Sequence, residues 1–189
     1  MSKQVKIALL GKARSGKDSV ASILVGDMGF QEFKLSKGIY DFISQFYRAR
    51  IDQVEGGAKD RGLLQLIGQT IRKIDEDIWI DYLLEDISSY PQWYTNRVVV
   101  SDVRQENEVD ALRDAGYTII KVTASENTRI ARMKAAGDIV TKEQLSYETE
   151  ISVDALDADW VIVNEGTLEE LIKVVEDVVA KIETGGANK

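Results

Sequence analysis

The residues with the clearest chemical meaning lie near the start of the chain. Gly11 and Gly16 bracket four residues, and Lys17 follows them, which gives the spacing G-x-x-x-x-G-K. Glycines let a backbone wrap closely around a phosphate, and the loop N–H groups with a following helix N-terminus attract anions. A lysine at this position reaches the β- and γ-phosphates of a nucleotide. We therefore expect an ATP-binding loop formed by Gly11, Arg14, Ser15, Gly16, Lys17, Asp18 and Ser19, with a catalytic role for Lys17.

An ordinary glycine-rich turn with solvated basic residues is the alternative for this segment. It does not explain why a chain of net charge −8 places Lys12, Arg14 and Lys17 together. Asp18 departs from the usual pattern, in which a Ser or Thr hydroxyl binds Mg²⁺. A carboxylate is also an oxygen ligand, so Asp18 is a candidate Mg²⁺ ligand, directly or through water, or a negative charge at a helix N-terminus.

A second polar segment follows the apolar run Arg97–Val100. Asp102 is a candidate to hold Mg²⁺ through water or to orient an acceptor group, with a helix cap as the alternative. Arg104 is a candidate to pair with a phosphate, with a surface ion pair to Glu106 or Glu108 as the alternative. We expect the two glutamates themselves to be solvated carboxylates of a first helical turn.

Composition excludes several classes of chemistry. The 189 residues include no histidine and no cysteine, which rules out Ser–His–Asp and Cys–His triads, zinc–cysteine sites and disulfides. The negative net charge disfavours nucleic acid and anionic membranes as partners. A run of about 18 apolar residues is absent, so no membrane span is predicted. We expect a cytoplasmic protein.

The elements that must position these residues alternate between short apolar strands and amphipathic helices. The predicted strands are Val5–Leu10, about Phe30–Ser36, Arg97–Val100, Tyr117–Val122 and Trp160–Val163. The first helix is expected to begin at Lys17 and to stop at Gly29. Further helices are expected throughout most of 37–96, after Asp102 with a stop at Gly116, from an N-cap at Ser125 to about Ala135, and after the capping-box pattern at Thr167. Such alternation indicates a parallel sheet covered on both faces, with Gly11, Asp102 and Asn164 at its carboxyl edge.

Several segments resemble one family of kinases. The run Ser15–Asp18 is similar to the loop of bacteriophage deoxynucleoside monophosphate kinases, with animal phosphomevalonate kinases as more distant relatives. The segment Ser101–Glu108 resembles the family's Asp-x-Arg-Gln-x-x-Glu pattern. The stretch Leu64–Arg72 resembles its helical substrate segment, and Asp159–Thr167 its last strand with the nucleotide-side loop.

The resemblance implies a P-loop nucleoside-monophosphate-kinase-like α/β fold with three layers and a five-stranded parallel sheet. The single domain of 1–189 would contain a helical monophosphate-binding insertion at about 37–96 and a short lid at about 133–147. Gln69 and Arg72 in the insertion, with Asp102 and Arg104, are the expected substrate ligands. Asn164 would flank the adenine of ATP.

Arg129 and Arg132 lie three residues apart, on one face of the helix before the lid. Such a pair is suited to closing over a transferring phosphoryl group and neutralising its developing charge, with a solvated basic face as the alternative. We expect both to be catalytic.

The expected reaction is transfer of the γ-phosphoryl group of ATP, with Mg²⁺, to a deoxynucleoside monophosphate. Its alternatives are a kinase of another small phosphorylated acceptor, such as phosphomevalonate or dephospho-coenzyme A, and a nucleotide-binding domain without catalysis. A guanine-nucleotide switch is disfavoured because an Asn-Lys-x-Asp motif is absent, and an AAA-type motor because Ser-Asp, not Asp-Glu, follows the third strand. Nucleotides are the expected partners, and a homodimer is left open.

Overall fold

The computed structural model describes residues 4–46, 61–137 and 153–185. The strands are β1 (Val5–Leu10), β2 (Gln31–Phe33), β3 (Arg97–Val103), β4 (Thr118–Thr123) and β5 (Trp160–Val163). The helices are α1 (Lys17–Gly26), α2 (Ser36–Phe46), α3 (Arg61–Arg72), α4 (Ile78–Ser88), α5 (Glu106–Asp114), α6 (Glu126–Ala135) and α7 (Leu168–Glu183).

The strands form one sheet in the order β2-β3-β1-β4-β5. β1 pairs in parallel with β3 and β4, and β4 pairs in parallel with β5. Leu10, the last residue of β1, is paired with Val103 and with Lys121. The predicted α/β fold with a five-stranded parallel sheet is confirmed, and the carboxyl ends of its strands meet at one edge.

Both faces of the central strand β1 are covered, because this strand carries apolar residues on both sides. Ile7 and Leu9 are fully buried in a cluster that includes the inner faces of α1 and α7. Ala8 and Leu10 are also fully buried, and alternation along the strand directs them to the opposite face. On that side α5 contacts β4 and buries Leu112. This packing fixes the sheet edge from which the phosphate loop emerges.

The chain divides into two compact units. Unit 1 consists of residues 1–32 and 91–189, and it contains the phosphate loop. Unit 2 consists of residues 33–90, and it overlaps the insertion predicted at about 37–96. The lid predicted at about 133–147 lies outside the described residues beyond Gly137. Among the described helices, none has the length and apolar character needed to cross a membrane.

Unit 2 has its own core of helices α2, α3 and α4. The Trp79 indole is buried and donates a hydrogen bond to the Gly68 carbonyl at 3.2 Å. On the surface, Lys37 and the Tyr82 hydroxyl both donate to the Asp41 carboxylate at 2.7 Å. Burial favours the neutral form of Asp41, but these two hydrogen bonds outweigh it and lower its pKa.

Two sequence predictions need correction in unit 1. β3 continues to Val103 instead of ending before Ser101, so Asp102 lies within the strand. α1 ends at Gly26, before the predicted stop at Gly29, although Gly29 does take a positive φ of 71°. Pairing with β1 decides where β3 ends, and the local cap decides where α1 ends. The periodicity of apolar residues reports neither, so both ends differ from the prediction.

Candidate active site

The phosphate loop begins directly after β1 and ends at α1. Gly16 has φ of 104°, a conformation that side chains rarely adopt. A Cβ atom at Gly16 would lie 1.9 Å from Nδ2 of Asn164, and one at Gly11 would lie 2.4 Å from the carbonyl oxygen of Val122. Both glycines are therefore required by close approach of neighbouring elements.

Lys17 is buried at the start of α1, with 7% of its surface exposed. Its ammonium group donates to the carbonyl oxygens of Gly11 at 2.6 Å and Lys12 at 3.3 Å. These bonds hold the positive charge across the loop. The G-x-x-x-x-G-K spacing predicts that this ammonium group reaches the phosphates of a nucleotide bound in the loop.

The N-terminus of α1 is not capped by a side chain. Its N-cap residue, Gly16, makes no side-chain hydrogen bond to the first turn. In α6, by contrast, the Ser125 hydroxyl accepts from the Thr128 N–H at 3.3 Å. An uncapped helix start next to a lysine suits an anionic ligand, because the first-turn N–H groups lack partners within the helix.

Ser15 has an unusual environment for a polar side chain. It is fully buried, and its Oγ has no hydrogen-bond partner in the described part of the chain. Leaving such a group unpaired costs about 1–3 kcal/mol. Ser15 also lines a cavity of about 280 Å³, whose charged lining residues are Lys12, Lys121, Arg129, Glu126 and Asp154. Lys12 is paired with the Asp154 carboxylate, so the lining carries charges of both signs.

Asn164 and two arginines of α6 contact the backbone of the loop. Arg129 is 6% exposed, and its Nε donates to the Ala13 carbonyl at 3.0 Å. Arg132 donates to the carbonyl oxygens of Arg14 at 3.4 Å and Ser15 at 3.3 Å. The Asn164 amide donates to the same Ser15 carbonyl at 2.9 Å. The structure therefore brings these three predicted residues to the loop, where each of them donates to at least one loop carbonyl.

Asp102 and Arg104 lie beside the loop at the carboxyl edge. Asp102 precedes Val103, the pairing partner of Leu10, and both Asp102 and Arg104 are half-buried. Glu108 was predicted to be solvated, and that is wrong, because only 2% of its surface is exposed. Its carboxylate accepts from the N–H groups of Arg104 at 2.9 Å and Gln105 at 3.1 Å. Glu108 thus caps α5 and fixes the backbone that carries Arg104.

Asp18 and Ser19 are exposed in the first turn of α1. Within residues 4–46, 61–137 and 153–185, no group of three or more acidic side chains gathers around a common point. Mg²⁺ commonly binds through one or two carboxylates together with substrate phosphates, instead of in an all-protein cage. The single carboxylates of Asp18 and Asp102 fit that mode.

The predicted acceptor ligands Gln69 and Arg72 belong to unit 2. Both are half-buried on α3, with Arg72 in its last turn. The Trp79 hydrogen bond to Gly68 holds the backbone immediately before Gln69. The structure does not place these two residues in the same unit as the phosphate loop.

Glu165 is a residue that the sequence did not single out as a ligand or as a support of the site. Its carboxylate accepts a hydrogen bond from the Ser125 N–H and another from the Thr128 hydroxyl at 2.6 Å. The bonds from Thr128 and then Ser125 lower the pKa of Glu165. Glu165 therefore ties the loop after β5 to the start of α6. No local pattern signals this, since the partners are 37 and 40 residues away.

Comparison with known proteins identifies the family of this chain. The family model for deoxynucleotide monophosphate kinase matches residues 58–175, more than half of the chain. The chain belongs to this family. The phosphate loop precedes the matched range, so it is a separate observation that points to the same class of kinase.

Two viral proteins are similar in sequence. The deoxynucleotide monophosphate kinase of enterobacteria phage T4 is 28% identical over 68% of this chain and 48% of its own length. The chain thus spans about half the length of that relative. An Acanthamoeba polyphaga mimivirus protein, "Putative deoxynucleotide monophosphate kinase", is 25% identical over 88% of this chain and 91% of its own.

A solved structure supports the fold. Dephospho-CoA kinase from Campylobacter jejuni superposes with a TM-score of 0.57, over 95% of this chain and 98% of its own, at 11% identity. At that identity the likeness concerns the architecture only. The architecture of this family member is therefore that of a P-loop kinase.

Proposed function

We propose that the protein transfers the γ-phosphoryl group of ATP to a deoxynucleoside monophosphate, which yields ADP and the deoxynucleoside diphosphate. The observation that carries this proposal is the loop after β1, with Lys17 held across it at 2.6 Å from the Gly11 carbonyl. Family membership supports the acceptor class. We place the reaction in the cytoplasm, that of a host cell if the protein is viral, as its similarity to phage and mimivirus proteins suggests.

The transfer breaks the bond between the γ-phosphorus and the bridging oxygen of ADP, and forms a bond to an acceptor phosphate oxygen. That oxygen is already ionised at neutral pH, so the reaction requires no strong general base. Catalysis then rests on positioning and on neutralising charge, which suits a chain without histidine or cysteine. Lys17 and Arg129 supply positive charge at the loop, and Ser15 supplies a buried hydroxyl.

The proposed metal ligands are Asp18 and Asp102, directly or through water. A bound Mg²⁺ would neutralise charge on the nucleotide phosphates. Arg104, on backbone fixed by Glu108, is proposed to pair with a substrate phosphate.

The proposed ligands of the acceptor monophosphate in unit 2 are Gln69 and Arg72. An acceptor phosphate carries nearly two negative charges, and the planar guanidinium group can bind two of its oxygens at once. Arg72 is in the last turn of α3, where a cation is also favourable for the helix dipole.

The test of the reaction is ADP release from ATP and Mg²⁺ across a panel of acceptors. The panel contains the four deoxynucleoside and four ribonucleoside monophosphates, phosphomevalonate and dephospho-coenzyme A. We expect turnover on one or more deoxynucleotides. Turnover confined to a non-nucleotide acceptor would overturn the substrate class and keep the loop, whereas ATP binding without any turnover would show a binding domain.

A matched pair of variants tests the acceptor site. Arg72→Ala is expected to raise the KM of the deoxynucleotide by about tenfold or more, with the KM of ATP unchanged, because it removes a charge-assisted contact. Lys73→Ala removes the neighbouring exposed cation and serves as the control. Equal effects of the two substitutions would contradict the assigned role of Arg72.

A further inference from the structure

The phosphate loop is held from its carbonyl side by residues of two other elements. We propose that Asn164 and Arg132 are positioning residues, which hold the Ser15 carbonyl so that the Gly16 N–H points towards the nucleotide phosphates. This inference rests on the proposed function, and it gives both residues a role other than contact with adenine or with the transferring group.

Asn164 is placed by the end of β5. Its backbone N–H donates to the Thr123 carbonyl at 2.8 Å, and only 6% of its surface is exposed. Its Nδ2 donates to the Ser15 carbonyl at 2.9 Å and lies 1.9 Å from where a Gly16 Cβ would be. The amide therefore packs directly against the loop backbone.

Arg132 joins the same carbonyl from α6. Its Nη1 donates to Arg14 O at 3.4 Å and Ser15 O at 3.3 Å, and its Nη2 donates to the backbone and side-chain oxygens of Asn164 at 3.0 and 3.3 Å. A guanidinium group only donates, so Oδ1 of Asn164 faces Arg132 and Nδ2 faces Ser15. The fork bridges four acceptors, which a lysine ammonium cannot do with its compact geometry.

The geometry of the peptide bond links these contacts to phosphate binding. In a trans peptide the C=O of one residue and the N–H of the next point in opposite directions. Holding the Ser15 carbonyl therefore directs the Gly16 N–H away from Asn164 and Arg132. The Arg14 carbonyl, which Arg132 also holds, belongs to the preceding peptide, and the Ser15 N–H of that peptide donates to the Lys12 carbonyl at 3.2 Å.

Backbone strain shows why such support is needed. Arg14 has φ of 61°, and it is the one non-glycine residue with a positive φ among those the structure describes. A left-handed conformation at such a residue is unfavourable and persists only when its surroundings hold it. The hydrogen bond from Arg132 to the Arg14 carbonyl is one of the contacts that hold it.

The deciding measurement is the affinity for inorganic tripolyphosphate, which has no base, beside that for ADP, both by calorimetry without turnover. Asn164→Ala and the isosteric Asn164→Asp are expected to weaken both ligands by the same factor, about tenfold. Val163→Ala, an exposed neighbour on β5, is the control and should change neither. The KM of the deoxynucleotide should be unchanged in all three variants at saturating ATP.

Three outcomes would overturn parts of the proposal. Weaker ADP binding with normal tripolyphosphate binding would make Asn164 a base contact. If the losses of affinity in Arg132→Lys and Asn164→Ala add in the double variant, Arg132 acts on the phosphates independently of Asn164. Two residues that act through one carbonyl are expected to give losses that do not add. A wild-type protein that does not bind tripolyphosphate would overturn the phosphate loop itself, and with it the proposed function.

Discussion

Helices α1 and α7 both start at the carboxyl edge of the sheet, but their N-termini are built differently. At α7, the Thr167 hydroxyl accepts from the Glu170 N–H at 3.3 Å, and the Glu170 carboxylate accepts from the Thr167 N–H at 2.8 Å. At α1, Gly16 offers no side chain. The hydrogen bonds around that loop instead hold its carbonyl groups, through Asn164 and Arg132.

The difference separates a structural helix start from one that is arranged for a ligand. The capping box of α7 satisfies two N–H groups within the four residues from Thr167 to Glu170, and it needs no other element. The start of α1 leaves its donors without side-chain caps, and distant residues fix their direction. If this comparison is right, changes at α1 should alter nucleotide binding, and changes at the other starts should alter stability alone.

The largest effect is expected from Lys17→Ala. Removing the ammonium group should lower kcat/KM by about 10²- to 10³-fold, because it removes preorganised charge at the transferring phosphate. Steady-state ADP release measures this loss. The exposed Lys173→Ala on α7 removes the same charge elsewhere and should keep normal activity. A Lys17→Ala enzyme with normal kcat/KM would contradict the catalytic role assigned to Lys17.

Gly16→Ala is expected to have the next largest effect. The added Cβ would meet the Asn164 amide at a φ of 104°, so we expect a loss of about 1–3 kcal/mol in unfolding free energy, with weaker ADP binding. Gly26→Ala is the matched control, since a Cβ there has nothing within 4 Å. Thermal melts with and without ADP compare the two, and equal ADP affinity in both would contradict the close approach at Gly16.

Thr167→Ala tests the structural helix start. Loss of the cap should lower the unfolding free energy by about 1 kcal/mol and leave kcat/KM unchanged. Urea unfolding and ADP release measure the two quantities. Thr70→Ala, at an exposed position of α3, is the control for loss of a threonine side chain. A fall in kcat/KM without a fall in stability would mean that this helix start also serves the substrate.

The smallest effect is expected from Glu165→Gln and depends on pH. Hydrogen bonds from Thr128 and Ser125 lower the pKa of Glu165 in the folded protein. Its contribution to stability is therefore present above the unfolded value, about 4.5, and is lost as the pH falls through the lower folded value. The stability gap between wild type and variant should close over that acidic range, with Glu176→Gln as an exposed control. A stability difference that stays constant with pH would show that the charge of Glu165 does not contribute to stability.

Strand bounds and helix caps could be predicted from the sequence, whereas the burial of a charged residue could not. The strands Val5–Leu10 and Trp160–Val163 were predicted with their exact bounds, and Ser125 and Thr167 were predicted as caps. These signals lie within a few adjacent residues. The prediction that Glu108 is solvated was wrong. A glutamate at the third position of a helix is typical of a solvated first turn, whereas its burial depends on what packs over it. Its reach back to the Arg104 and Gln105 N–H groups follows from that packing.

The sequence by itself determined the phosphate loop, the alternation of strands and helices, and the edge at which polar residues collect. Each is encoded in contiguous residues, through glycine spacing and through periods of 2 and 3.6 residues. Only the tertiary structure decided what holds the loop. Asn164 and Arg132 are 149 and 117 residues from Ser15, and their meeting depends on strand order and parallel register, which no local pattern contains.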